Sequence, residues 1–112
     1  MVHVKLVVAR YNENIEWTKQ FSDVVIYNKG KSDVNEYNPI ILPNVGREGH
    51  TYYKYIYDNY DNLEDFTAFL QGDPFFHNPD IIKELETIIN SDEYNKNFKF
   101  LTGGFSYANL HP

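Results

Sequence analysis

The sequence predicts a single α/β domain over residues 1–112, with a parallel or mixed sheet covered by helices. Three observations carry this expectation. Short β-branched apolar runs alternate with segments of helical spacing, and parallel neighbours need such crossovers. A polar cluster follows several of those runs, as it does where strands end at a shared edge. The chain is 42% apolar and 17% aromatic, with ten Tyr and eight Phe, enough to pack one core.

Each element has its own signal. Val2, Val4, Leu6, Val7, Val8 and Ala9 form a buried strand that delivers Arg10, Tyr11, Asn12 and Glu13 at its carboxyl end. Asn12 is suited to cap a short helix through Ile15 to Phe21, with Ile15 or Trp17 facing the core. Asp23 to Tyr27 reads as a second strand, closed by the turn Asn28-Lys29-Gly30-Lys31. Residues 31–43 read as a polar loop carrying a short extended piece, Ile40-Ile41-Leu42. Tyr52, Tyr53, Ile56, Tyr57 and Tyr60 keep the three-and-four spacing of an amphipathic helix whose aromatic stripe is expected to pack on the core. Phe66 to Leu70 gives a third strand, ending at Gln71-Gly72-Asp73-Pro74. Asn78-Pro79 reads as a cap and first helical residue for Ile81, Ile82, Leu85, Ile88 and Ile89. Phe98 to Leu101 suggests a last strand, and Phe105 to Pro112 carries little regular signal.

Charge and composition exclude some function classes. Sixteen acidic against ten basic residues leave a net charge of −6, which offers nucleic acid and anionic membranes no general attraction. The absence of cysteine removes disulfides, thiolate metal sites and thiol nucleophiles, so any metal must sit on oxygen or imidazole. No run approaches the roughly 18 apolar residues of a membrane span, and the first eight residues are too short for a secretory signal. The expectation is a cytoplasmic protein without membrane or nucleic-acid partners, and its oligomeric state is left open.

Four clusters carry candidate chemistry. In Asn44-Val45-Gly46-Arg47-Glu48-Gly49-His50, Gly46 and His50 stand before a helix whose amino end attracts anions, and Arg47 is suited to clamp a phosphate. Turn geometry explains the same glycines without a ligand. Gln71, Asp73 and His77 place an amide, a carboxylate and an imidazole behind a strand, where a divalent cation such as Mn or Mg would bridge a diphosphate. An Asp capping a turn before proline is the plainer account. Arg10, Asn12 and Glu13 are suited to hold a base or ribose, with Tyr11 stacking on the ring, although helix capping also accounts for Asn12 and Glu13. Asn28 and Lys29 add polar and positive groups at the same rim, or form an ordinary solvated turn.

Taken together, Val7 to Glu13, Tyr27 to Gly30, Leu42 to Tyr52 and Phe69 to His77 resemble the segments V-V-A-R-Y-N-E, Y-N-K-G, L-P-N-V-G-R-E-G-H-T-Y and F-L-Q-G-x-P-F-x-H. These belong to an uncharacterised domain-of-unknown-function family. That family in turn looks like the nucleotide-binding half of glycosyltransferases with the Rossmann-like A-type fold, a three-layer sandwich with a mostly parallel sheet. The resemblance implies binding of a nucleotide-diphospho-sugar with a divalent cation. It would place Arg10, Asn12 and Glu13 near the nucleotide, Arg47 near the phosphates, and Asp73, with His77, near the metal; Glu48 or Asp73 would act as catalytic base. Two features differ from the transferase pattern: Gln71-Gly72-Asp73 holds one acid where two are usual, and the length leaves little for an acceptor-binding half. A non-catalytic binding or interaction module that keeps the fold is the alternative.

Overall fold

The computed structural model describes residues 4–62, 66–76, 78–90, 99–101 and 104–108. Its strands are β1 (Val4–Arg10), β2 (Val24–Asn28), β3 (Ile40–Ile41), β4 (Phe66–Gln71), β5 (Lys99–Leu101) and β6 (Gly104–Ala108), with helices α1 (Arg47–Asn59) and α2 (Ile81–Ile89). Together the strands form one sheet in the order β3-β2-β1-β4-β6-β5. The first four run parallel, while β6 pairs antiparallel with both β4 and β5. This is the mostly parallel, Rossmann-like α/β arrangement the sequence predicts. No helix among the described residues is long and apolar enough to cross a membrane.

Strand β1 lies between β2 and β4 and is covered on both faces, which is why its sequence is a nearly continuous apolar run rather than an alternation. One face carries Val4, Leu6, Val8, Ile26, Ala68 and Leu70 against Ile81, Leu85 and Ile88 of α2. Ile15 joins this core fully buried, with Trp17 and Phe21 packed at its border. The other face carries Val7, Tyr27 and Phe69 against Tyr55 of α1, flanked by Tyr52 and Ile56. Burying each of the three α2 side chains contributes about 1.5–3 kcal/mol, which fixes α2 more firmly than its short length would. Burial pushes the Tyr27 phenol above its usual 10.0, and the nearby Asp58 carboxylate adds to the shift.

Several local expectations are corrected. The segment after β1 is a five-residue 3-10 helix, Glu16–Gln20, and it is Asn14, not Asn12, whose side chain accepts the Glu16 N–H at 2.9 Å. At α2 the residue before the first turn is Asp80; Asn78 Oδ1 accepts the Asp80 N–H at 3.1 Å, and its amide donates to Glu84 at 2.8 Å. Pro79 therefore lies in a turn ahead of the helix. The aromatic stripe of α1 is split. Thr51 and Tyr55 are buried and Tyr52 and Ile56 half-buried, whereas Tyr53 and Tyr57 are 73% and 76% exposed. Strand β6 was not expected at all. The expected residues Met1 to His3, Phe98 and His77 lie outside the described residues.

The chain runs outward from β1 to β2 to β3 and then crosses by α1 to β4 on the far side of β1. The winding thus reverses at β1, and in sheets of this kind ligand crevices lie outside the carboxyl ends of the strands at such a reversal.

Candidate functional site

Arg10 and Asn28 end β1 and β2 and are partners in the parallel register. Arg10 is only 4% exposed, and a buried guanidinium must spend its donors on the protein. Its Nε donates to the Glu13 carbonyl at 3.0 Å, and Nη1 donates to Asn28 Oδ1 at 3.2 Å and the Lys31 carbonyl at 3.0 Å. It also pairs with Asp33 at 2.9 Å. One side chain therefore ties the loop after β1 to the end of β2 and the turn beyond it. Asn12 joins the same fastening, its Oδ1 accepting the Lys31 N–H at 2.9 Å. Asn28 completes it, accepting the Gly30 N–H at 3.0 Å and donating to the Lys31 carbonyl at 2.8 Å. Gly30 is required by contact: a Cβ there would fall 1.4 Å from the Tyr11 carbonyl oxygen, so the two loops lie backbone on backbone.

The start of α1 faces this rim. Gly46 has φ +70, and a Cβ on it would meet His50 Cβ at 2.4 Å. Arg47 follows with φ +50, a left-handed conformation that costs a non-glycine residue about 1 kcal/mol or more. Lys29 holds this turn, its ammonium donating to the carbonyls of Val45 and Arg47 at 2.6 Å each. Gly46, the residue before α1, has no side chain to cap it, so among the described residues the N–H groups and dipole of the helix start are left toward the rim. The Arg47 guanidinium is exposed and makes no ion pair among the described residues.

Between these pieces lies a cleft of about 200 Å³ lined by Ala9, Arg10, Tyr11, Glu13, Lys29, Asn44, Arg47 and Thr51. It brings Arg10, Lys29 and Arg47 together against one carboxylate, Glu13, in a chain whose net charge is −6. That carboxylate is occupied: Oε1 accepts the Tyr11 N–H at 2.9 Å and Oε2 the Asn12 N–H at 3.3 Å. It is also wedged against Gly72, where a Cβ would come within 2.3 Å of Oε1. A larger, open hollow of about 510 Å³ shares Arg10 and Glu13 with the cleft and is lined by Glu16, Asp33 and Glu36 as well as Lys19.

Other expected residues are not in the cleft. Gln71 ends β4 half-buried beside Ala9, and Gly72 donates its N–H to the Ala9 carbonyl at 2.9 Å while accepting from Trp17 Nε1 at 2.8 Å. Asp73 is exposed, and its Oδ1 accepts the Phe75 N–H at 3.2 Å, the turn role its position before Pro74 suggests. His50 is half-buried, with Nδ1 unpartnered among the described residues, but does not line the cleft. Glu48 lies in the first turn of α1, and His77 lies outside the described residues. Among the described residues no group of three or more His, Asp or Glu assembles to hold a cation. Sequence reasoning gave Asn44, inside the candidate segment, no role of its own and passed over Thr51. The signal for Thr51 was its position four residues after Arg47, on the same helix face.

The fold and cleft define a Rossmann-like α/β protein with a positively lined recess at the carboxyl edge of its parallel strands. Residues 6–96 match the family described as Protein of unknown function (DUF3431), and the chain belongs to that family. No curated protein and no solved structure matches it.

Proposed function

We propose that the domain binds a nucleotide-diphospho-sugar, with the diphosphate in the cleft at the amino end of α1. The observation that carries this reading is the exposed Arg47 guanidinium, with no ion pair among the described residues, at the start of α1 outside the carboxyl ends of β1 and β2, in a cleft that Arg10 and Lys29 also line. A recess of about 200 Å³ is smaller than the roughly 300–1,000 Å³ typical of sites that enclose a whole ligand. It suits the diphosphate, with base and sugar lying over the rim, where Tyr11 is 51% exposed and offers a ring for stacking. The resemblance of the family, read from its sequence segments, to the nucleotide-binding half of A-type glycosyltransferases points to the same ligand class. In a transfer reaction Arg47 would stabilise the departing diphosphate, and Glu48, in the first turn of α1, would serve as base; Asp73, outside the cleft and bonded to its own turn, is the second candidate. The described residues do not assemble a cation site, so no step is assigned to a metal; Asp73 and His77 are the candidates for one.

A second reading, binding without transfer, is favoured by the state of Glu13, the cleft's carboxylate, which is bonded to backbone N–H groups rather than poised as a base. Titration calorimetry with uridine and guanosine diphospho-sugars, with and without manganese, tests both. Saturable binding that weakens in Arg47→Gln is expected, and failure to bind any donor removes the proposal. Donor hydrolysis abolished by Asp73→Asn favours transfer; binding with no turnover favours the module.

A further inference from the structure

The Thr51 hydroxyl is buried and has no hydrogen-bond partner among the described residues; the residue is 0% exposed and lines the cleft. A helical threonine can return its hydroxyl to the carbonyl four residues back. For Thr51 that carbonyl belongs to Arg47, and it already accepts from the Lys29 ammonium at 2.6 Å. Lys29 thus does two things. It holds the strained Gly46–Arg47 turn, and it competes for the oxygen that would otherwise take the Thr51 hydroxyl.

We infer that Thr51 Oγ1 is a ligand donor, and that the cleft selects a phosphoryl oxyanion gripped between this hydroxyl, the Arg47 guanidinium and the uncapped N–H groups of α1. The inference rests on the proposed placing of the anion and deepens it by naming the group that recognises it. A tetrahedral oxyanion suits donors converging from a side-chain hydroxyl, a forked guanidinium and a helix end. Lys29 acts as a positioning residue, since its ammonium is spent on the two carbonyls.

Thr67 supplies the control. It is likewise 0% exposed with a hydroxyl unpartnered among the described residues, but it lies on β4 and does not line the cleft. Calorimetric titration of the full chain with inorganic pyrophosphate is compared for wild type, Thr51→Val, Thr51→Ala, Thr51→Ser and Thr67→Val, with each fold checked by circular dichroism. Losing a hydrogen bond to a charged oxygen predicts a weakening of about tenfold to a hundredfold in Thr51→Val and Thr51→Ala. Thr51→Ser and Thr67→Val are expected to bind like wild type. Wild-type affinity in a folded Thr51→Val or Thr51→Ala, an equal loss in Thr67→Val, or no pyrophosphate binding by wild type overturns the inference. Donor binding that ignores Thr51 overturns it while leaving the proposed function standing. Thr51-dependent pyrophosphate binding with no donor bound does the reverse.

Discussion

Replacing Gly30 by alanine forces a methyl group into backbone. Its Cβ would sit 1.4 Å from the Tyr11 carbonyl oxygen and 2.3 Å from its carbon. Non-bonded heavy atoms rest at about 3.5 Å, so the turn after β2 and the loop after β1 must part by roughly 2 Å. That displacement breaks the Lys29 N–H bond to the Arg10 carbonyl, 3.0 Å, and the Lys31 N–H bond to Asn12, 2.9 Å. It also pulls the Lys31 carbonyl from the buried Arg10 guanidinium. Two neutral bonds at about 1 kcal/mol each and one charged bond at about 1.5 kcal/mol or more give a loss of roughly 3–4 kcal/mol. At about 4 °C per kcal/mol for a domain of this size, the melting midpoint falls by roughly 12–16 °C. Urea and thermal denaturation followed by circular dichroism measure both quantities. A loss below about 1 kcal/mol would refute the account, because it would mean that the loops separate at little cost.

Arg10→Met removes the hub of the same rim; Asn28 Oδ1 keeps the Gly30 N–H and the Lys31 carbonyl keeps the Asn28 amide, while the Glu13 carbonyl loses its bond. A loss of about 2–3 kcal/mol in urea denaturation is expected. Gly49→Ala is expected to raise stability by about 0.5–1 kcal/mol in the same assay, since it sits within α1 and a Cβ there meets nothing within 4 Å. Tyr27 is pushed above its usual 10.0 first by burial and then by Asp58, so the native state holds this proton longer than the unfolded chain. Its contribution is complete below about pH 10 and is lost as pH rises through the native value, so Tyr27→Phe flattens the fall in melting temperature above about pH 10.

Much of the fold is legible because it follows from local periodicity. The β-branched runs at Val4–Arg10 and Val24–Asn28 and the spacing of Ile81, Leu85 and Ile88 each point to one structure. Strand β6 is not legible in that way: Gly104 and Ser106 interrupt its pattern, and it exists by pairing with β4 and β5. The helical spacing of α1 was legible but not its orientation. Tyrosines at 52, 53, 57 and 60 allow more than one buried face, and contact with Tyr27 and Phe69 selects the one through Tyr55 and Tyr52. Within the site, the meeting of Arg10, Glu13, Lys29 and Arg47 follows from polar residues placed behind parallel strands. Asp73 follows its strand too, yet its carboxylate folds back onto its own turn, a local bond that strand-end reasoning does not weigh. The state of Thr51 depends on Lys29, whose ammonium reaches Arg47 from 18 residues earlier in the chain.

Strand β3 closes one side of the sheet with two residues, Ile40 and Ile41, both exposed, between Pro39 and Pro43. Prolines cannot donate to a ladder, so a foreign strand laid along this border finds a stretch far shorter than the five or six residues usual for strand pairing. Bare isoleucines at a sheet margin ordinarily invite self-association, and here the flanking rings truncate the template, leaving hydrophobic side chains that a neighbouring copy can touch but not zip onto.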